Sequence, residues 1–289
     1  MKNILSTFMA CIKFTSFWLG VLLQIPIVIL IPKGRLSVAY SRIFYGILMY
    51  VSGVRVRVNG KISKARPLLL VSNHISVFEM VVFPVALGSS FFGKEDIEKY
   101  PIIGWIGKKF GVVFISRNPR TAVETTKKIN DAMIRAGYPM TIFPEGTTNN
   151  GCFVLPFKSS MFDVVTKIPN LTIQPVVMTY NLRSGGKISD DRIMADDYSC
   201  PANAKIEKYN EDFGKSELVP TKERSVFGHV FHIMKLGGVL VELNLLPPPP
   251  LEGMDRKEIA TTLHKIISDK FYELKENKNG KNSNNTNQG

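Results

Sequence analysis

The chain's 289 residues, 45% hydrophobic and 21% charged, fit one ordinary globular domain with appendages. A net charge of +13 points to an anionic partner, whether nucleic acid, a membrane surface or a phosphorylated ligand, or else to a merely soluble basic surface. Cys11, Cys152 and Cys200 form no CxxC pair, which excludes a disulfide framework and a zinc site. With no His/Cys cluster, GxGxxG or P-loop either, no metal and no cofactor are expected.

Phe14 to Ile31 carries no charge. As a helix it spans roughly 27 Å, just short of a hydrocarbon core. Gln24 and Pro26 interrupt it, and Pro26 favours a kink. A membrane-embedded helix is the first reading, with a signal peptide and a buried core helix as rivals. No A-x-A-like cleavage site follows, only Pro32-Lys33-Gly34-Arg35. Leu36 to Val51 is mixed apolar and aromatic, with Tyr40, Tyr45 and Tyr50 along it and Arg42 inside. It reads equally as a helix dipping into one leaflet or as a helix covering the domain. Lys2 and Lys13 on one side of the first stretch face Lys33, Arg35 and Arg42 on the other, so flanking charge gives little orientation.

Short apolar runs then alternate with helical patterns. Strands are predicted at 54–58, 67–72, 90–92, 111–116, 140–143, 172–179 and 239–245, and helices at 77–87, 101–110, 122–136, 158–166 and 256–274. Thr121 and Glu124 form a capping-box signature, and Ala122, Ile129, Met133 and Ala136 make a core stripe behind it. The alternation predicts an α/β fold, a mixed and mostly buried sheet flanked by helices, behind an N-terminal membrane-associated helical segment. The domains expected are a membrane anchor over 1–53, a catalytic-sized domain over 54–273 and a disordered tail over 274–289, whose lysines, asparagines and glutamates carry no apolar pattern. Residues 181–235 are too polar to assign, and Pro247–Pro250 is a stiff connector.

Of four histidines, His229, His232 and His264 lie in segments with no other catalytic signal. His74 differs. It follows the apolar strand Leu68-Leu69-Leu70-Val71 and precedes a helix, the place where open α/β sheets bind ligands. On one continuous helix His74 and Glu79 would sit on different faces. With His74 in the loop and Glu79 in the first turn, the carboxylate folds back and holds one ring nitrogen, leaving the other to take a proton. Ser76-Val77-Phe78-Glu79 is equally a capping box, so Glu79 either caps or orients.

Arg117 ends the apolar run Gly111–Ser116, where a guanidinium can grip a phosphate with two parallel bonds or simply be solvated. Phe143-Pro144-Glu145-Gly146-Thr147-Thr148 runs from a strand into a polar turn. Gly146 allows close backbone approach, and the amides and hydroxyls of Gly146, Thr147 and Thr148 can bind an anion; Glu145 suits a substrate hydroxyl or an arginine. An ordinary turn is the plain alternative.

In this order the segments resemble the blocks of the glycerolipid acyltransferase family, which includes 1-acylglycerol-3-phosphate and lysophospholipid acyltransferases. The resemblance runs from about Val54 to Leu245. Asn73-His74 with Glu79, an HX4E spacing, resembles the family's NHxxxxD block. Gly111–Arg117 resembles the second, and Phe143–Thr147 with Leu155-Pro156-Phe157-Lys158 the third. Gln174-Pro175-Val176-Val177 resembles the fourth.

The resemblance implies an acyl-CoA-dependent lysophospholipid O-acyltransferase that makes a diacyl phospholipid. His74 would be the base and Glu79 its orienter. Asn73, Arg117, Glu145, Gly146, Thr147 and Thr148 would bind substrate, with Arg117 on the acceptor phosphate. Acyl-CoA enters as substrate, not cofactor; the partners implied are a phospholipid membrane and a lysophospholipid. The implied location is the endoplasmic reticulum membrane in a eukaryote and the inner membrane in a bacterium. Glu79 stands where the family usually has Asp. Thr148 stands where members acting on lysophosphatidic acid often have Arg, which favours lysophosphatidylcholine or lysophosphatidylethanolamine over lysophosphatidic acid. The rival is a non-catalytic membrane protein that binds anionic lipid. Nucleic acid is not an expected partner, because the basic residues are dispersed and no RNP-like motif or zinc finger occurs.

Overall fold

A computed structural model describes residues 2–76, 78–116, 122–148, 151, 153–163, 168–182, 226–235 and 237–285. Helix α1 (Lys2–Leu30) carries an inward stripe at Ala10, Phe14, Phe17, Val21, Gln24 and Val28, spaced alternately by three and four residues. That stripe lies on α2 (Arg35–Ser52) and α7 (Val226–Lys235), with Phe14 edge-on to Phe231 at 5.6 Å. Gln24, an interruption by sequence, points inward, where its Oε1 accepts from the Tyr40 hydroxyl at 3.3 Å. The helix continues through Pro26. Its outward face is apolar too, with Leu19, Leu22, Leu23 and Leu30 between 54% and 82% exposed. By length and composition α1 is able to cross a membrane.

The predicted boundary at residue 53 is not a boundary in packing. Ala10 and Met49 belong to the same buried cluster as the sheet. Helix α2 also contacts α3 (Glu79–Leu87) directly, because the buried face of an apolar helix pair needs a partner.

Seven strands form one sheet in the order β1 (Arg55–Asn59), β7 (Val239–Leu245), β6 (Thr172–Leu182), β2 (Leu68–Ser72), β5 (Met140–Ile142), β3 (Ser90–Lys94), β4 (Val113–Ile115). Neighbours run parallel except β6 and β7. All of β2 is buried, as a central strand covered on both faces must be. The remaining helices are α4 (Glu95–Glu98), α5 (Pro101–Lys109), α6 (Ala122–Ala136) and α8 (Arg256–Asn285).

Three expectations need correction. The helix expected at 158–166 is, among the described residues, only a 3₁₀ turn at Ser159–Phe162, tied by the Met161 N–H to the Lys158 carbonyl at 2.9 Å. Residues 226–235, unassigned from sequence, form α7; Val230, Ile233 and Met234 supply its buried face. The tail expected to be disordered from 274 is helical to Asn285. Helix α8 is nucleated by its buried stripe Ile259, Leu263, Ile267 and Phe271, and extending an existing helix is far easier than starting one.

Candidate active site

Strand β2 lies between β5 and β6, with Val71 level with both Ile142 and Pro175. The loops that leave β2 and β5 therefore emerge side by side at one edge of the sheet. That register brings residues 73–78 against residues 143–148.

Asn73 is wholly buried. Its amide nitrogen donates to the Met178 carbonyl at 2.9 Å, and its oxygen accepts from the Met178 N–H at 2.8 Å. Expected at the substrate, Asn73 instead rivets the His74 loop to β6. Replacing it with Ala leaves both Met178 peptide groups unsatisfied in the core. The variant is expected to lose about 2–4 kcal/mol of stability, read from the denaturant midpoint of the detergent-solubilised protein.

Glu79 is also fully buried. Its Oε1 accepts from the N–H groups of Ile75 at 2.7 Å and Ser76 at 2.5 Å. Its Oε2 accepts from His74 Nδ1. The two alternatives from sequence are both realised: one oxygen folds the loop at the helix start, and the other holds the imidazole.

The imidazole stacks on Phe143, with centroids 4.6 Å apart and planes at 19°, and Phe83 braces Phe143 edge-on at 5.3 Å. Nothing in the motif had marked Phe143 for this part, although its place just before Pro144 was visible. The His74 side chain keeps 21% exposure, and among the described residues its Nε2 has no partner. A ring fixed at Nδ1 and open at Nε2 is arranged to accept a proton from an incoming hydroxyl.

Glu145, expected to meet a substrate hydroxyl or an arginine, is buried and turned inward. Its Oε1 accepts from the His74 N–H at 2.9 Å and its Oε2 from the Leu155 N–H at 3.2 Å. A carboxylate under the loop joins three segments and leaves no direct path to solvent. The Gly146 amide donates to the Phe143 carbonyl at 3.0 Å, so it closes the turn instead of offering itself to an anion. Thr147 and Thr148 sit half-buried beyond it, the Thr147 hydroxyl donating to the Thr148 carbonyl at 3.4 Å. Strand β4 ends at this same edge, and Arg117 lies outside the described residues.

Behind Phe78, next to Glu79, an apolar cavity of about 180 Å³ opens between α1, α2, α3 and α5. Trp18, Phe44, Val81, Ile106 and Phe114 line it, and almost no polar surface does. On the far side Tyr180 is buried near Glu79. Burial first, and the Glu79 charge second, push its phenol well above the usual range, so it stays neutral.

A family model described as Acyltransferase matches residues 53–179, which include the His74, Glu79 and Glu145 loops. The lyso-ornithine lipid O-acyltransferase of Brucella abortus is 30% identical over 232 residues, 78% of either chain. The chain belongs to the acyltransferase family. The 1-acyl-sn-glycerol-3-phosphate acyltransferase of Neisseria gonorrhoeae is 33% identical to this acyltransferase over 94 residues, 32% of this chain and 37% of the relative. The fold matches that of the 1-acyl-sn-glycerophosphate acyltransferase PlsC from Thermotoga maritima with a TM-score of 0.60 at 20% identity, over 95% of this chain and 98% of the other. This acyltransferase thus shares the α/β fold of that structure.

Proposed function

We propose that the chain moves a fatty acyl group from acyl-CoA to the hydroxyl of a lysolipid at a membrane surface, with His74 as general base. The observation that carries this is Glu79, whose two oxygens hold the His74 loop and the His74 ring at once. Nε2 takes the acceptor's proton and the alkoxide oxygen attacks the thioester carbonyl. The tetrahedral oxyanion collapses, the carbon–sulfur bond breaks, and the imidazolium returns the proton to the departing thiolate. No covalent enzyme intermediate is needed. Base assistance of this kind is worth about 10²–10⁴-fold.

The apolar cavity beside Phe78 suits an acyl chain, since its lining offers burial and almost nothing to hydrogen-bond. The membrane reading rests on the outward apolar faces of α1 and α2 together with charge. Residues 1–78 hold ten Lys and Arg and no Asp or Glu, which suits a bilayer with anionic lipids.

Among acceptors, lyso-ornithine lipid comes first. The relative matched over 78% of both chains carries that name. Thr148 also removes a cation from the position where members acting on lysophosphatidic acid often have Arg, which counts against lysophosphatidic acid as the acceptor. Lysophosphatidic acid, lysophosphatidylcholine and lysophosphatidylethanolamine complete the panel. Arg117 remains in the proposal as an acceptor contact: Arg117→Ala is expected to raise acceptor KM by about tenfold with donor KM unchanged, and equal loss toward both substrates would contradict it.

The deciding experiment is mass spectrometry of products formed by membranes containing the protein, given these four lysolipids with acyl-CoA or acyl-carrier protein. A new diacyl product from one acceptor is the expected result. Liposome binding without turnover of any thioester would return the non-catalytic reading.

A further inference from the structure

We infer that Lys158 supplies the cation that holds the acceptor's anionic group, in place of the arginine absent at position 148. The inference rests on the acyl-transfer reading above and names a specificity-determining residue for it.

The observations come from the turn after β5. Gly146 has a φ of +73° and presents a bare Cα; a Cβ placed there would fall 2.8 Å from Lys158 Nζ. The ammonium therefore lies directly against the turn. The backbone fixes this juxtaposition, because the Lys158 N–H donates to the Pro144 carbonyl at 2.9 Å. A side chain at 146 would be strained at that φ and would move the flexible end of Lys158.

The charge at Lys158 is not spent. Its residue is exposed, and among the described residues no carboxylate pairs with it. The neighbouring carboxylate that would neutralise it, Glu145, is turned away onto the His74 and Leu155 amides. The same bond from Glu145 to His74 places the turn, and the lysine over it, beside the loop that carries the imidazole. Next along the chain, the N–H groups of Thr147 and Thr148 have no bond among the described residues. An unpaired ammonium against the Gly146 turn, followed directly in the chain by two N–H groups without a bond among the described residues, offers the charge and the donors that one compact anion needs. A single lysine acts as a point charge and lacks the bidentate fork that matches phosphate, so the pocket suits a carboxylate or a phosphate equally.

The test measures initial rates for wild type, Lys158→Ala and Lys158→Arg in the same membranes, with three acceptors: lysophosphatidic acid for phosphate, lyso-ornithine lipid for carboxylate, and monoacylglycerol as an acceptor without an anion. Lys158→Ala should raise acceptor KM about tenfold or more for an anionic acceptor that wild type uses. It should leave kcat within about threefold and donor KM unchanged, and Lys158→Arg should recover most of the loss. Loss confined to lysophosphatidic acid makes the ligand a phosphate. Loss confined to lyso-ornithine lipid makes it a carboxylate, and loss with both a general anion.

An unchanged KM for both anionic acceptors overturns the inference. So does an equal loss with monoacylglycerol, which would mean that Lys158 acts only by packing. If wild type transfers acyl groups to none of these three, nor to lysophosphatidylcholine or lysophosphatidylethanolamine, the acyl-transfer reading fails first; if it uses only those last two, with neither anionic acceptor taken, this inference is overturned. If wild type is active and His74→Ala is not, a silent Lys158→Ala sinks this inference alone.

Discussion

Replacing His74 with Ala is expected to lower kcat for acyl transfer by about 10²–10⁴-fold while the protein continues to fold. The imidazole is the only group at the site with an open, basic nitrogen held in a fixed orientation among the described residues. The loop does not depend on the ring for its shape. The His74 N–H keeps its bond to Glu145, and the Ile75 and Ser76 amides keep theirs to Glu79. The stack on Phe143 and the Nδ1 bond to the buried Glu79 Oε2 are lost, together about 2–4 kcal/mol. Initial rates alongside a thermal melt in the same detergent separate the two effects. Activity within a few-fold of wild type would remove His74 from the mechanism, and a collapsed melt would make the variant uninformative about chemistry.

Glu79→Gln and Glu79→Ala are expected to fail in different ways. In the Gln variant the amide oxygen still accepts from Ile75 and Ser76, so stability falls by no more than about 1–2 kcal/mol. The amide nitrogen, however, now faces Nδ1 as a donor. Nδ1 must then accept, and the proton moves to Nε2, the atom that has to take one from the substrate. Loss of kcat by about 10⁴-fold is expected, as for the amide variant of a triad carboxylate. In the Ala variant two buried N–H groups lose their acceptor as well, and stability should fall by about 2–5 kcal/mol on top of the loss of rate. Denaturant midpoints and kcat measured on both variants test the double role. A Gln variant as active as wild type would end the orienting role; one as unstable as Ala would end the anchoring role.

Much of the fold was legible because its signals are local. Period-two and period-3.6 patterns placed all seven strands and helices α2, α3, α5 and α6 within a few residues, and β7 at 239–245 to the residue. Where a prediction failed, the deciding contact was distant or the pattern short. Helix α7 shows only three buried apolar positions among the described residues, and it packs on α1 more than two hundred residues earlier. Gln24 looked like a flaw in an apolar run until Tyr40 faced it. At the loop after β2 the sequence left Glu79 either to cap or to orient, and five residues across a strand-to-helix turn are enough to bring it to His74.

What the amino-acid order determined by itself is most of the succession of strands and helices and the two polar loops that follow β2 and β5. What only the tertiary structure decided is the use each polar side chain is put to. Asn73 and Glu145 had the look of ligand groups, yet they are fasteners, joined to partners 105 and 71 residues away. The cause is the strand order, which seats β2 between β5 and β6. Hydrogen bonds across that arrangement must be satisfied before any group is left over for a substrate. No local periodicity records which buried amide will claim a given carboxylate.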